Sequence, residues 1–206
     1  MTEPRILDIG RQIGAIRRQV AEDADLVRVL MDRRYPSSAA EVWEALTEPD
    51  RIRRWMMPIS GDLRVGGSFQ LEGNAGGEIL RCERPNLLRV TFGDPSSLVE
   101  VRLAEDGADT VLTLEHTVPK TMAGDVAGAL YVGPGWDGAL LGLSLYLDGR
   151  VSGDPVAAAS SPEAQEFSAE SVSAWVGVLE ATGADAGTIA GARQAAMAQF
   201  APDLVG

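Results

Sequence analysis

Residues 62–117 alternate short strand-like runs with tight turns, and this stretch restricts the possible folds more than any other part of the sequence. Turn sequences separate the runs at residues 66–67, 84–86, 94–97 and 106–107. Within one run, Val99, Val101 and Leu103 alternate with charged residues, which is the period of a strand with one covered and one wet face. Connections this short predict a meander of antiparallel strands.

The elements on either side of the meander complete the pattern. A strand rich in Val and Leu is predicted over residues 25–35, and Ser38 with Glu41 forms a capping box for a short helix. Thr47 is predicted to cap a second short helix that has Pro49 in its first turn. After the meander, a long helix follows residues 133–135. Its apolar stripe consists of Trp136, Leu140, Leu143 and Leu147.

The chain ends carry further amphipathic segments. Isoleucine and valine recur at helical spacing and predict an N-terminal helix within residues 1–21. Residues 151–206 read as a linker followed by two helices, which leaves residues 22–150 as the main domain. An amphipathic helix does not bury its apolar face alone. The terminal helices are therefore expected to bury each other or to form a homodimer contact.

Composition limits the partners. The formal net charge of −12 argues against binding to a nucleic-acid backbone or to an anionic membrane. One cysteine and one histidine exclude a Cys/His zinc cluster but not an all-carboxylate metal site, and the sequence has no cofactor motif. The N-terminus lacks a signal-peptide pattern, and the longest apolar run, residues 138–147, is too short to span a bilayer. These features predict a cytoplasmic protein without metal or cofactor.

Several stretches together resemble one protein family. AAEVWEALTEPDRIRRWMMP, DLRVGGSFQLEG, LTLEHTVP and GWDGALLGLSLYLDG are similar to successive parts of the AHSA1-like branch (activator of Hsp90 ATPase homologue-like) of the START/Bet v 1-like SRPBCC superfamily. The resemblance covers about residues 25–149. It implies an α+β helix-grip fold, in which a curved antiparallel sheet wraps a long C-terminal helix and leaves an apolar cavity. It does not imply one activity, because the fold hosts carriers, cyclases, hydrolases and co-chaperone domains.

The resemblance also implies where a ligand would bind. The second short helix would lie near the cavity mouth, with Arg53 and Arg54 facing water or the acidic end of a ligand. Trp and Met suit an adaptable apolar wall, although large apolar residues also simply pack cores. The candidate ligand-binding residues are Trp55, Met57, Phe69, Leu80, His116, Trp136 and Leu140, with Arg53 and Arg54 at the mouth.

His116 is the candidate catalytic residue. It lies two and four residues after Leu114 and Leu112 on the same predicted strand, so its side chain is expected to share their face and to point into the domain. There it would act as a general acid or base, or serve as a structural histidine. No nucleophile motif is present. Three functions stay open: a non-catalytic binder of a small hydrophobic or aromatic molecule, a cavity enzyme of the cyclase, dehydratase or hydrolase type, and a partner that stimulates a chaperone ATPase.

Overall fold

Eight antiparallel strands form one curved sheet in this computed structural model, which describes residues 7–151 and 153–205. The strands are β1 (Ile16–Glu22), β2 (Leu26–Tyr35), β3 (Ile59–Gly61), β4 (Ser68–Leu71), β5 (Gly76–Glu83), β6 (Leu87–Phe92), β7 (Asp94–Asp106) and β8 (Asp109–Pro119). Their order across the sheet is β1-β2-β8-β7-β6-β5-β4-β3. The strands β3 to β8 therefore form an antiparallel meander, as predicted, and β2 joins it beside β8. Two details of the prediction are wrong: β3 lies before residue 62, and the turn expected at residues 94–97 is the beginning of β7.

Helices cover the sheet and close the chain. They are α1 (Ile9–Gly14), α2 (Ala39–Thr47), α3 (Pro49–Ile52), α4 (Lys120–Ala123), α5 (Gly133–Leu147), α6 (Pro155–Ala159), α7 (Pro162–Thr182) and α8 (Ala186–Phe200), with 3₁₀ turns at Val126–Tyr131 and Pro202–Leu204. The sheet curves around α5, and this confirms the α+β helix-grip fold. In the described part of the chain, no helix combines the length and apolar character needed to cross a bilayer.

Capping explains where the two short helices begin. The Ser38 Oγ accepts a hydrogen bond from the Glu41 N–H at 3.3 Å, which is one of the two hydrogen bonds of a capping box. The prediction that Thr47 caps α3 is wrong, because Thr47 is the last residue of α2 and its Oγ1 donates to the Trp43 carbonyl. Glu48 takes the N-cap position instead, and Pro49 follows it in the first turn.

The predicted N-terminal helix is only partly correct. Residues 1–6 lie outside the described residues, α1 ends at Gly14, and residues 16–22 form the edge strand β1. Val20 pairs with Val29 of β2, so the sheet begins before residue 22. Ile16, Arg18 and Val20 also fit the two-residue period of a strand. Pairing with β2 decides in favour of the strand over the predicted helix.

The terminal segments pack on each other within the chain. The Leu7 N–H donates to the Glu163 Oε1 of α7 at 3.1 Å, and α7 in turn packs against α5. Where α7 packs against α5, a Cβ added to Gly133 would lie 2.5 Å from the Trp175 ring. Only glycine therefore permits the two helices to approach this closely. One of the two expected arrangements of the ends is therefore present, and the homodimer contact stays a prediction.

A buried ion pair fixes α5 against the rest of the fold. The Arg18 Nε donates to the Asp137 Oδ2 at 2.8 Å, and the side chains are 6% and 0% exposed. Ser171 and Trp175 of α7 donate to the same oxygen at 2.5 and 3.1 Å. Burial raises the pKa of the Asp137 carboxyl, while Arg18 and the two neutral donors oppose that shift. The pair therefore joins β1, α5 and α7 at one point.

Asp137→Leu is expected to lower the free energy of unfolding by about 3–5 kcal/mol, because it leaves the Arg18 charge buried without its counterion. Arg18→Met combined with Asp137→Leu should recover part of that loss, because it removes the unpaired charge but leaves Ser171 and Trp175 without their acceptor. Urea unfolding of both variants measures the difference. Asp50→Ala, which removes the exposed partner of Arg53, is the control and should cost under about 1 kcal/mol. A double variant as unstable as Asp137→Leu would contradict the prediction.

Candidate ligand cavity

A cavity of about 390 Å³ lies between the concave face of the sheet and α5. Its wall is almost wholly apolar. The helix α5 contributes Trp136, Ala139, Leu140 and Leu143, and the strands contribute Phe69, Leu71, Ile79, Val90, Phe92, Val99, Val101, Leu112 and Leu114. The region of α2 and α3 closes one side with Leu46, Ile52, Trp55 and Met56. Its size falls in the usual range for a small-molecule site.

Four predicted ligand-binding residues meet in this wall. They are Trp55, Phe69, Trp136 and Leu140, and each is buried or half-buried. The binding role of all of them stays a prediction. The wall also contains residues outside the predicted set, among them Ile52, Met56 and Phe92. Phe92 stands at the end of β6, where the strand period is too short to assign a face.

The prediction that Leu80 lines the cavity is wrong. Leu80 is 39% exposed, whereas Ile79 and Cys82 line the cavity. A register shift between Ile79 and Arg81 interrupts the alternation of β5, so residues 78, 80 and 82 no longer share one face. Met57 is half-buried outside the wall, and its neighbour Met56 takes the position predicted for it.

The arginines of the second short helix also lie outside the cavity. Arg53 and Arg54 are exposed and line a separate surface cleft together with Tyr146. The turn after α3 packs on α5 so closely that a Cβ added to Gly142 would lie 3.0 Å from the Trp55 carbonyl oxygen. This contact places the two arginines outside and Trp55 inside. The expectation that they flank the cavity mouth is therefore wrong.

Both tryptophans of the wall use their polar atom within the protein. The Trp55 Nε1–H donates to the Ala45 carbonyl at 2.9 Å, and the Trp136 Nε1–H donates to the His116 Nδ1 at 3.0 Å. A buried indole N–H usually needs such a partner. Because both are satisfied, the rings present only apolar surface to the cavity.

His116 lies behind the wall and is not part of it. Its ring meets Trp136 and Phe92 edge-on, at centroid distances of 5.7 and 6.0 Å. The indole N–H only donates, so Nδ1 accepts, and in the neutral ring Nε2 carries the proton. Nε2 lies 2.8 Å from the buried Ser97 Oγ, to which it then donates. In this tautomer His116 does not withdraw a proton from Ser97.

Burial lowers the pKa of His116 to about 4, so the ring is neutral at pH 7. The neutral ring holds both neighbours, because it accepts from Trp136 and donates to Ser97. A second proton on Nδ1 would face the indole N–H and break the first of these bonds. His116 is therefore suited to holding Trp136 in place.

The mouth differs from the interior. Leu63 and Val65 are 38% and 53% exposed, and with Arg64 they form a loop at the cavity edge. Exposed Cys82 lies at the same edge. Among the described residues, no group of three or more His, Cys, Asp and Glu side chains is placed to hold a metal ion.

The fold and the cavity define a helix-grip protein with an apolar pocket. The family model of Activator of Hsp90 ATPase homolog 1-like proteins (AHSA1) matches residues 36–148, and the chain therefore belongs to this family. A search of curated proteins gives no match.

Solved structures agree with this assignment. The crystal structure of CalU16 from Micromonospora echinospora has 35% identity and a TM-score of 0.65, with 81% of this chain and 99% of CalU16 covered. Its solution structure gives 37% identity, a TM-score of 0.64, and coverages of 81% and 94%. DynU16, a protein in the dynemicin biosynthetic locus, has 27% identity and a TM-score of 0.52, with 65% of this chain and 49% of DynU16 covered.

The depressed pKa of His116 predicts a pH-dependent stability. The unfolded histidine binds a proton below about pH 6.5, and the folded one only below about 4. The contribution of His116 to the free energy of unfolding is therefore fully present above pH 6.5. The free energy of unfolding falls by about 3 kcal/mol from this cause as the pH drops to 4. The slope is measured from unfolding free energies in steps between pH 6.5 and 5, above the ordinary range of exposed carboxylates. Buried Asp137, whose pKa is raised, contributes with the opposite sign.

His116→Gln is the matched variant, because an amide can still accept from Trp136 and donate to Ser97. The chain has one histidine, so this variant should lose the fall in stability toward low pH that His116 causes in the same window. An unchanged slope in the variant would assign the pH dependence to other groups.

Proposed function

We propose that this protein binds a small hydrophobic or amphipathic molecule in the cavity and does not transform it. The observation that carries the proposal is the wall itself. Its interior is apolar, and both indole N–H groups are already bonded within the protein. An apolar ligand would therefore leave no polar group of these rings unsatisfied.

The apolar surface that a ligand and the wall would bury together supports a dissociation constant near micromolar. Removing about 500 Å² of apolar surface from water, counted on ligand and wall together, gains about 12 kcal/mol. Association costs of about 4 kcal/mol then leave a dissociation constant near micromolar. The relationship to DynU16, which belongs to a biosynthetic locus, supports a natural-product molecule as the ligand.

The wall gives less support to a cavity enzyme. Its only ionisable side chains, within the described residues, are Arg64 and Cys82 at the mouth. His116, the candidate acid or base, is separated from the cavity by Trp136 and Phe92. Stimulation of a chaperone ATPase rests on the family name alone and stays a prediction that an ATPase assay would test.

Ala139→Phe is expected to fill part of the cavity and to weaken binding at least about ten-fold, because Ala139 projects from α5 into the space. Ala181→Phe, on the exposed side of α7, adds the same ring outside the cavity and should bind normally. Fatty acids and planar aromatic compounds are titrated while Trp fluorescence is followed.

Cys82 supplies an independent measurement in the same experiment. It is the one cysteine of the chain and lies at the mouth, so an occupied cavity should slow its reaction with a thiol reagent. If no compound changes either signal in the unsubstituted protein, the cavity is not a site for these classes of molecule.

A second prediction uses adjacent methionines. Met56 contacts the cavity and Met57 does not, although both are half-buried. Met56→Ala should weaken the best binder by about five- to twenty-fold, because it removes apolar wall surface. Met57→Ala should leave the affinity within about two-fold. Equal effects of the two changes would place the ligand elsewhere.

A further inference from the structure

We infer that the ligand is an amphipathic acid whose anionic group is bound by Arg64 at the cavity mouth. This inference rests on the proposed function and adds an orientation and a chemical class to it. The apolar body would lie against α5 and the aromatic rings, with the charged end in the loop between β3 and β4.

The first observation is a gradient of polarity along the cavity. Three of the wall residues have polar side chains, and these are Thr47, Arg64 and Cys82. The Thr47 hydroxyl already donates to the Trp43 carbonyl. Among the described residues, the deep part of the wall thus offers no free side-chain donor to a ligand, whereas the mouth offers a guanidinium. A molecule with an ionised group therefore binds favourably only when that group lies at the mouth, because burying the charge inside the cavity costs free energy.

The second observation concerns the geometry of Arg64. Its Nε and Nη2 bind the two carboxylate oxygens of Asp62 at 3.1 and 2.8 Å. This pairing occupies one edge of the guanidinium and leaves Nη1 for a second acceptor. The two side chains are 72% and 55% exposed, so the pair is weak and a ligand anion can share it or replace it.

The third observation is that the loop backbone is held in place. The Gly66 N–H donates to the Ile79 carbonyl at 2.8 Å, and the Gly67 N–H donates to the Arg64 carbonyl at 2.9 Å. An added Cβ on Gly67 would lie 2.0 Å from the Asp62 carbonyl oxygen, so the turn requires glycine. Arg64 therefore extends from a turn that is bonded to the sheet. Exposed Leu63 and Val65 on either side continue the apolar wall outward.

The test compares ligands that differ only in charge. Decanoate is paired with 1-decanol, and 2-naphthoate with 2-naphthalenemethanol, and the dissociation constants are measured by Trp fluorescence. The protein should prefer each acid over its alcohol. Arg64→Gln should weaken the acids by about three- to ten-fold and leave the alcohols unchanged. Added salt should reduce the preference in the unsubstituted protein and have little effect in the variant.

Arg53→Gln is the matched control, because it removes an exposed arginine that lies outside the cavity. It should bind acids and alcohols normally. Equal binding of acid and alcohol, unaffected by Arg64→Gln, would overturn this inference while the proposed function stands. The same loss in Arg53→Gln as in Arg64→Gln would also overturn it, because general charge would then explain the preference. Absence of binding by all four compounds would instead count against the proposed function.

Discussion

The rotation of α5 about its axis is the constraint on which the cavity depends. This helix is apolar nearly all round, so its hydrophobic pattern alone does not decide which side faces the sheet. The buried Asp137 decides it, because its carboxylate needs Arg18 on β1 and the two donors on α7. With Asp137 turned toward these partners, Trp136, Leu140 and Leu143 face the concave sheet. A buried polar contact on one face of the helix thus sets the apolar wall on the adjacent face.

The wall remains apolar because its tryptophans find partners behind it. An unsatisfied indole N–H inside the cavity would favour ligands that carry an acceptor at that depth. Ala45 and His116 take these hydrogen bonds instead. Affinity would then come from contact area and shape in the interior, whereas chemical selectivity would come from the few polar groups at the mouth.

The sequence predicted the parts of the fold that follow from regular periods and local capping. The meander, the N-cap at Ser38 and the long helix are of this kind. The predictions are wrong where the hydrophobic period leaves the structure open, or where contacts with distant parts of the chain determine it. Strand β1 depends on pairing with β2. The face of Leu80 is not decided by alternation, because β5 carries apolar residues on both faces, and Ile79 is the one that turns inward. The displacement of Arg53 and Arg54 depends on how α3 meets α5, which no local pattern specifies.

His116 shows how one residue type can suggest a chemistry that its bonds oppose. A lone histidine pointing into a cavity domain is a natural candidate for proton transfer. Here Nδ1 accepts a hydrogen bond from the Trp136 indole N–H, which can only donate. The proton of the neutral ring therefore lies on Nε2, which faces Ser97. To act on a ligand, the ring would have to lose Trp136, and the cavity would lose part of its wall with it. The hydrogen bonds that make His116 useful for holding the cavity shape are therefore the ones that remove it from acid–base work.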